Sequence, residues 1–158
     1  MRTSNLLSIF LFVLFFTSIS SAESLWVIGH GEFDDNDGAS NAFLVENRTN
    51  KKVLGDIKLY YEILHTTQDA FFIAPGLYYE LSLGRKLVLT PCLGAGFYER
   101  GDDKNLGLAF QWRSGADISL KLPKEWRIGL MYHHLSNMGF TRPNPGAESY
   151  LFFLSKSF

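Results

Sequence analysis

The chain has 158 residues with a formal net charge of −1, and 46% of its residues are hydrophobic, 15% aromatic and 20% charged. A chain of this length forms one domain, and its balanced charge, without a cluster of basic residues, argues against a nucleic-acid-binding protein. The many aromatic residues argue against intrinsic disorder, and the single cysteine, Cys92, excludes an intramolecular disulfide.

The first 22 residues have the pattern of a signal peptide. Arg2 precedes an apolar run from Leu6 to Phe16, and the small polar stretch that follows places Ser20 and Ala22 at the −3 and −1 positions of a cleavage site. The apolar run is shorter than the roughly 20 residues that a membrane-spanning helix needs. We therefore expect residues 1–22 to be removed and 23–158 to form a single exported domain; a short N-terminal anchor is the alternative.

After the signal peptide, apolar and polar residues alternate with a period of two, which is typical of β-strands with one buried face. The alternation is clearest over 106–121, where Leu106 and Phe110 share one parity and Gln111 and Arg113 the other. Clusters of Gly, Asp, Asn and Pro separate the alternating runs. The pattern predicts eight strands, at 25–33, 39–47, 55–65, 70–82, 87–99, 106–121, 126–136 and 148–158.

Eight long strands joined in sequence predict an all-β fold, an antiparallel up-and-down β-barrel. Such a barrel is either a soluble carrier with an apolar cavity or an outer-membrane protein with an apolar outer wall, and the alternation alone does not distinguish them. The long strands, the abundant aromatic residues and a last strand that ends on Phe158 favour a transmembrane barrel of the bacterial outer membrane. Lys156 interrupts the apolar parity of that last strand.

Three residues with the chemistry of an esterase share the outer face of the last two predicted strands. His134 and Ser136 continue the outward parity of Tyr132, and Glu148 has the same parity as Tyr150. With an even number of strands both termini are periplasmic, so the loop between these strands is extracellular. The three residues are therefore expected at the level of the outer leaflet, which consists of lipopolysaccharide, and are positioned to attack an ester of its lipid anchor.

The residue types suit a hydrolytic reaction without a metal or cofactor. A serine hydroxyl needs a base, and a neutral imidazole both accepts its proton and returns it to the leaving group. The carboxylate would orient the imidazole, and the amides of Asn137 and Gly139, or the side chain of Asn144, would stabilise the oxyanion. His and Ser at this spacing are common by chance, so each residue alone is equally an ordinary polar group at a barrel rim. His133 has the opposite parity and is expected to be structural.

The whole motif is more specific than its parts. It consists of His134-Leu-Ser136-Asn137-Met-Gly139 followed by Asn144-Pro145-Gly146-Ala-Glu148. This pattern resembles the signature of the lipid A 3-O-deacylase (PagL) family of eight-stranded outer-membrane esterases, and the resemblance covers about residues 126–158. It implies hydrolysis of the acyl ester at position 3 of lipid A, without a metal. It also implies a triad of Ser136, His134 and Glu148, with oxyanion stabilisation by Asn137, Gly139 and Asn144.

Three alternatives remain at this point: a non-catalytic structural or adhesion barrel, a soluble barrel that carries an apolar ligand, and an outer-membrane phospholipase. The expected partners are lipopolysaccharide and outer-membrane lipid, with no nucleic acid. The sequence does not set the oligomeric state, and it leaves a homodimer open.

Overall fold

The structure is a computed structural model that describes residues 24–34 and 40–158, so the predicted signal peptide, residues 1–22, lies outside the described residues. One turn of 3-10 helix, Pro123–Glu125, precedes the eighth strand. No helix within the described ranges is long and apolar enough to cross a membrane. The strands are β1 (Leu25–Phe33), β2 (Ser40–Leu54), β3 (Ile57–Thr66), β4 (Phe71–Tyr78), β5 (Leu81–Leu83), β6 (Leu87–Glu99), β7 (Phe110–Lys121), β8 (Trp126–Ser136) and β9 (Ala147–Ser157).

The strands form one antiparallel sheet that closes into a barrel. β1 to β4 pair in chain order, as do β5 to β9, and the pairs β1–β9 and β4–β6 close the ring. The short β5 pairs with the start of β6, beyond the end of β4, so β4 and β5 together occupy one place in the wall. The predicted eight-stranded up-and-down barrel is therefore confirmed.

The barrel has two distinct ends. The backbone N–H of Phe158 donates to the carbonyl of Ser24 at 3.1 Å, so both described termini meet at one end, which we call the termini end. The opposite end carries the connections after β1, β3, β6 and β8, and we call it the loop end.

Strand β2 is longer than the sequence predicts. It continues to Leu54, whereas the alternation predicted its end at residue 47. The polar residues from Glu46 to Thr49 are all buried, with at most 4% of their surface exposed, and the register with β3 shifts after Arg48. These residues are therefore part of the barrel wall, and the turn that their polarity suggested lies further along the chain.

Two other boundaries also differ. β7 begins at Phe110 and not at residue 106, because Gly107 has a φ of +80° and interrupts the extended backbone. Leu106 consequently lies in the buried apolar cluster, and its predicted place on the outer face is wrong. The predicted strand 70–82 is divided at Tyr79 and Glu80 into β4 and β5.

Charged and polar side chains occupy the middle of the barrel. Arg48 Nη2 lies 2.6 Å from Asp117 Oδ2, and Arg113 Nε lies 3.1 Å from Glu62 Oε1. Arg113 also donates a hydrogen bond of 2.6 Å to the Tyr60 hydroxyl. Burial of charged groups is tolerated when they are paired and hydrogen-bonded in this way. Buried apolar side chains complete the filling, among them Leu44, Leu64, Phe72, Leu135, Leu151 and Phe153. The interior is therefore a packed core, as expected for a barrel of this size.

The outer wall is apolar. Large exposed hydrophobic side chains include Ile28, Phe43, Leu93, Phe97, Leu130 and Phe152, each at least half exposed. A soluble carrier would have the opposite polarity, with apolar groups inside and polar groups outside, so that alternative is wrong.

Lys156 lies at the termini end, where its ammonium is 5.4 Å from the ring centroid of Trp126 and 4.6 Å from that of Phe158. A lysine among aromatic rings is typical of a membrane interface, where the ammonium stays hydrated while the stem packs on apolar surface. The interruption of the apolar parity thus falls at the rim of the barrel and outside its apolar band.

Candidate active site

The barrel register places His134 and Glu148 directly opposite each other on β8 and β9. His134 Nδ1 lies 3.0 Å from Oε1 and 2.9 Å from Oε2 of Glu148. A carboxylate only accepts hydrogen bonds, so this contact requires the proton of a neutral imidazole to be on Nδ1. The other ring nitrogen, Nε2, is then left with a free lone pair and can accept a proton.

Ser136 lies two residues further along β8, on the same outward face as His134. Neighbouring side chains on one face of a strand are separated by about 7 Å along the backbone, within reach of an imidazole and a hydroxyl that lean toward each other. The side chains of His134 and Glu148 are 34% and 27% exposed, and Ser136 is also half-buried. The structure therefore brings all three predicted residues to one patch of the outer wall, at the loop end.

Asn137 anchors the loop that follows β8. Its side chain is fully buried, and Nδ2 donates to the Leu106 carbonyl at 2.9 Å, the Thr141 hydroxyl at 3.2 Å and the Pro143 carbonyl at 3.2 Å. The first of these bonds connects the loop to the segment before β7. The other two hold Thr141 and Pro143, in the middle of the loop, next to Asn137 at the end of β8. The Asn137 side chain therefore has a positioning function in this conformation.

The backbone amides predicted to stabilise an oxyanion already have acceptors within the same loop. The N–H of Asn137 donates to Asn144 Oδ1 at 3.0 Å, and the N–H of Gly139 donates to Asn137 Oδ1 at 2.9 Å. Asn144 is exposed, and its carboxamide nitrogen is a donor separate from the oxygen that makes this contact. Of the three predicted residues, Asn144 thus presents the donor that is most accessible to a substrate.

Two further residues contact the site, and the sequence pattern did not identify them. Gly146 has a φ of +69°, and a Cβ added there would lie 2.7 Å from His134 Cε1, so bare backbone packs against the imidazole. The Tyr132 hydroxyl donates to Glu148 Oε2 at 2.9 Å, and its ring packs 5.3 Å from that of Tyr150. The sequence placed Tyr132 on the correct face, but only the register shows that it reaches Glu148.

An apolar groove runs along the outer wall from this site. It has a volume of about 490 Å³, and Tyr132, which contacts Glu148, lines one end of it. Ala116 lies between Pro91 and Tyr132 on the adjoining strands, and its small side chain leaves space in the groove. The other outward-facing lining residues are Leu89, Ile118, Leu130, Tyr150 and Phe152.

Fold and site together define a class: an outer-membrane-type β-barrel with Ser, His and Glu gathered on its outer wall. Among solved structures with this fold is the outer-membrane enzyme PagL, with a TM-score of 0.63 and 18% identity, covering 84% of this chain and 98% of that one. A designed transmembrane β-barrel has a TM-score of 0.59 at 10% identity, covering 88% and 98% of the two chains. The Yersinia pestis outer-membrane protein Ail has a TM-score of 0.56 at 13% identity, covering 87% and 100%.

Sequence comparison identifies the family. The model of the family described as "Lipid A 3-O-deacylase (PagL)" matches residues 35–157. The Bordetella bronchiseptica protein named lipid A deacylase PagL is 44% identical over 46 residues, which are 29% of this chain and 26% of that protein. That match thus spans about a quarter of the relative's length. The chain belongs to the lipid A 3-O-deacylase (PagL) family.

Proposed function

We propose that this protein is a lipid A 3-O-deacylase of the outer membrane, a serine esterase that hydrolyses the acyl ester at position 3 of lipid A. The observation that supports it best is the double contact of His134 Nδ1 with Glu148, beside Ser136 on the outer wall, in a member of this family. The site faces the outer leaflet, because the loop end carries it while both termini meet at the opposite, periplasmic end.

In the first half of the reaction, Ser136 Oγ attacks the ester carbonyl while His134 Nε2 takes the hydroxyl proton. The imidazolium that forms is stabilised by Glu148. The tetrahedral intermediate collapses to an acyl-serine, and the proton passes from His134 to the departing sugar oxygen. The Asn144 carboxamide is the donor that we assign to the oxyanion. The backbone N–H of Asn137 holds the oxygen of this carboxamide, and the N–H of Gly139 in turn holds the Asn137 side chain.

In the second half, water replaces the sugar. His134 Nε2 accepts a proton from the water as its oxygen attacks the acyl-serine. The intermediate then releases the fatty acid, and the proton returns to Ser136 Oγ. This step regenerates the neutral imidazole with its Nδ1 proton still directed at Glu148.

The substrate reaches the site sideways through the membrane. The interior of the barrel is packed, whereas the apolar groove on the outer wall begins at Tyr132, whose hydroxyl contacts Glu148. An acyl chain that lies in this groove has its ester end at the catalytic residues. Lipid A in the outer leaflet presents its chains in the orientation that this arrangement needs.

The mass profile of lipid A from cells with and without the protein tests the proposal. Expression should remove one 3-hydroxyacyl group, and Ser136→Ala should restore the unmodified profile. Ser114→Ala is a matched control, because Ser114 is exposed on the same outer face and pairs with His134 across β7 and β8. It should leave deacylation unchanged. Full activity of Ser136→Ala would exclude the acyl-serine mechanism.

Two further measurements separate the remaining alternatives. Phospholipid supplied in place of lipid A should not be hydrolysed, whereas a phospholipase would release fatty acid from it. N-terminal sequencing of the protein extracted from outer membranes should begin at Glu23, since removal of residues 1–22 is part of the same proposal.

A further inference from the structure

Charged side chains are unequally divided between the two ends of the barrel. In the described part of the chain, the termini end carries the acids Asp56, Glu80 and Glu125, and the loop end carries the cations Arg100, Lys104 and Arg142. The cations of the termini end are Lys51, Lys52, Lys58, Arg85, Lys86, Lys121, Lys124, Arg127 and Lys156. The acids of the loop end are Glu32, Asp34, Asp69, Glu99, Asp102, Asp103 and Glu148. The end with the candidate site is therefore acidic.

An acidic rim repels the substrate that we propose for the site, because the lipid A headgroup carries phosphates. A cationic side chain at the loop end would offset this repulsion. Lys104 Nζ already lies 2.7 Å from Asp34 Oδ1 and is mostly buried. Arg100 lies on the loop between β6 and β7, close in sequence to Asp102 and Asp103. Arg142 remains, and it is exposed.

The loop geometry places Arg142 beside the nucleophile. Asn137 Nδ2 bonds to the Thr141 hydroxyl and to the Pro143 carbonyl, both at 3.2 Å, and these residues flank Arg142 in the chain. Asn137 directly follows Ser136, so the backbone of Arg142 is held one side-chain length from the end of β8. A guanidinium on this backbone can reach a group that is bound next to Ser136, and its planar set of donors matches a phosphate.

We propose that Arg142 binds the anomeric phosphate of lipid A, the phosphate on the same sugar ring as the scissile ester. This subsite rests on the proposed function. The guanidinium compensates part of the negative charge of the phosphate and thereby reduces the repulsion between the headgroup and the acidic rim. The subsite gives the enzyme a preference for lipid A that retains this phosphate.

A test crosses two enzymes with two substrates in detergent. The substrates are bisphosphorylated lipid A and the monophosphoryl form that lacks the anomeric phosphate. Wild-type protein should hydrolyse the bisphosphorylated form with a kcat/KM about tenfold higher than that for the monophosphoryl form. A factor of about ten corresponds to the contribution of one accessible charge-assisted hydrogen bond. Arg142→Gln should lose this advantage and match wild type on the monophosphoryl substrate. Arg142→Lys, which keeps the charge, should retain part of the advantage.

Arg100→Gln is the matched control, because it removes the same charge from the same end on another loop, and it should retain the preference. The subsite is overturned if Arg142→Gln slows both substrates equally, or if Arg100→Gln abolishes the preference as well. It is also overturned if the preference disappears on removal of divalent cations, since a metal ion bridging the phosphate to the acidic rim would then explain it. If wild type hydrolyses neither substrate, the proposed function fails and not merely the subsite.

Discussion

Replacement of Gly146 by alanine tests whether the loop positions the imidazole of His134, the base in the proposed mechanism. The added Cβ would lie 2.7 Å from His134 Cε1, whereas ordinary contacts begin near 3.4 Å, so the ring must move by about 0.7 Å. His134 is held by Glu148 on its Nδ1 side, and the movement therefore changes the direction of Nε2 relative to Ser136. Misplacement of a reacting group by about 1 Å costs on the order of a hundredfold in rate. We expect kcat to fall by tens of fold, with little change in KM.

The variant also has a backbone cost, which must be separated from the effect on the ring. Gly146 has a φ of +69°, and an alanine in this left-handed region loses about 1–2 kcal/mol of stability. Gly84→Ala carries the same backbone cost without the collision, because its φ is +80° and nothing lies within 4 Å of the added Cβ. Gly84 is at the termini end, far from the site.

Both variants are assayed on detergent-dispersed lipid A, with the folded fraction measured from the difference in gel migration between heated and unheated samples. Gly84→Ala should retain wild-type kcat per folded molecule, and Gly146→Ala should not. Wild-type kcat in folded Gly146→Ala would refute the claim that the loop backbone positions His134. Equal losses of kcat in the two variants would mean that backbone strain alone causes the effect.

Three other predictions concern the same patch of the wall. Tyr132→Phe should lower kcat several-fold at unchanged KM, because the Tyr132 hydroxyl acts through the Glu148 carboxylate. The same substitution should cause no further loss in a Glu148→Ala background. Additive losses would instead indicate that Tyr132 contacts the substrate directly. Leu130→Lys should reduce activity by placing a charge in the apolar groove, while the inward change Met131→Gln should alter activity little. Steady-state rates per folded molecule compare the two variants. A larger loss in Met131→Gln than in Leu130→Lys would contradict lateral access of the substrate. Activity on dispersed lipid A should survive a chelator, because His134, oriented by Glu148, supplies the base that the proposed mechanism needs. Loss of turnover that zinc or calcium restores would contradict this mechanism.

The sequence correctly predicted those strands whose two faces meet different environments, lipid on one side and the core on the other. On β8 and β9 the outer face meets lipid and the inner face meets the core, so alternation fixed the outward direction of His134, Ser136 and Glu148. The same rule misplaced the end of β2. The core of this barrel is charged, and the buried polar run from Glu46 to Thr49 therefore has the composition of a turn.

Other features depend on contacts between residues that are distant in the chain. Leu106 is apolar and was assigned to the outer face, but the left-handed backbone at Gly107 turns it into the core. Nothing local indicates that Asn137 bonds to the Leu106 carbonyl or that Gly146 packs on His134. The pairing of Arg113 with Glu62 likewise requires the closed ring, since the two strands are far apart in sequence.

The charged core has a consequence for the membrane in which the protein resides. Arg48 pairs with Asp117 and Arg113 with Glu62 inside the barrel, and a cluster of buried apolar side chains packs beside them. Water and ions therefore have no continuous path through the protein. In a planar bilayer the folded barrel should show no single-channel conductance, and its expression should not increase the uptake of small hydrophilic compounds by cells. The proposed deacylation would therefore change the lipid composition of the permeability barrier without opening a pore through it.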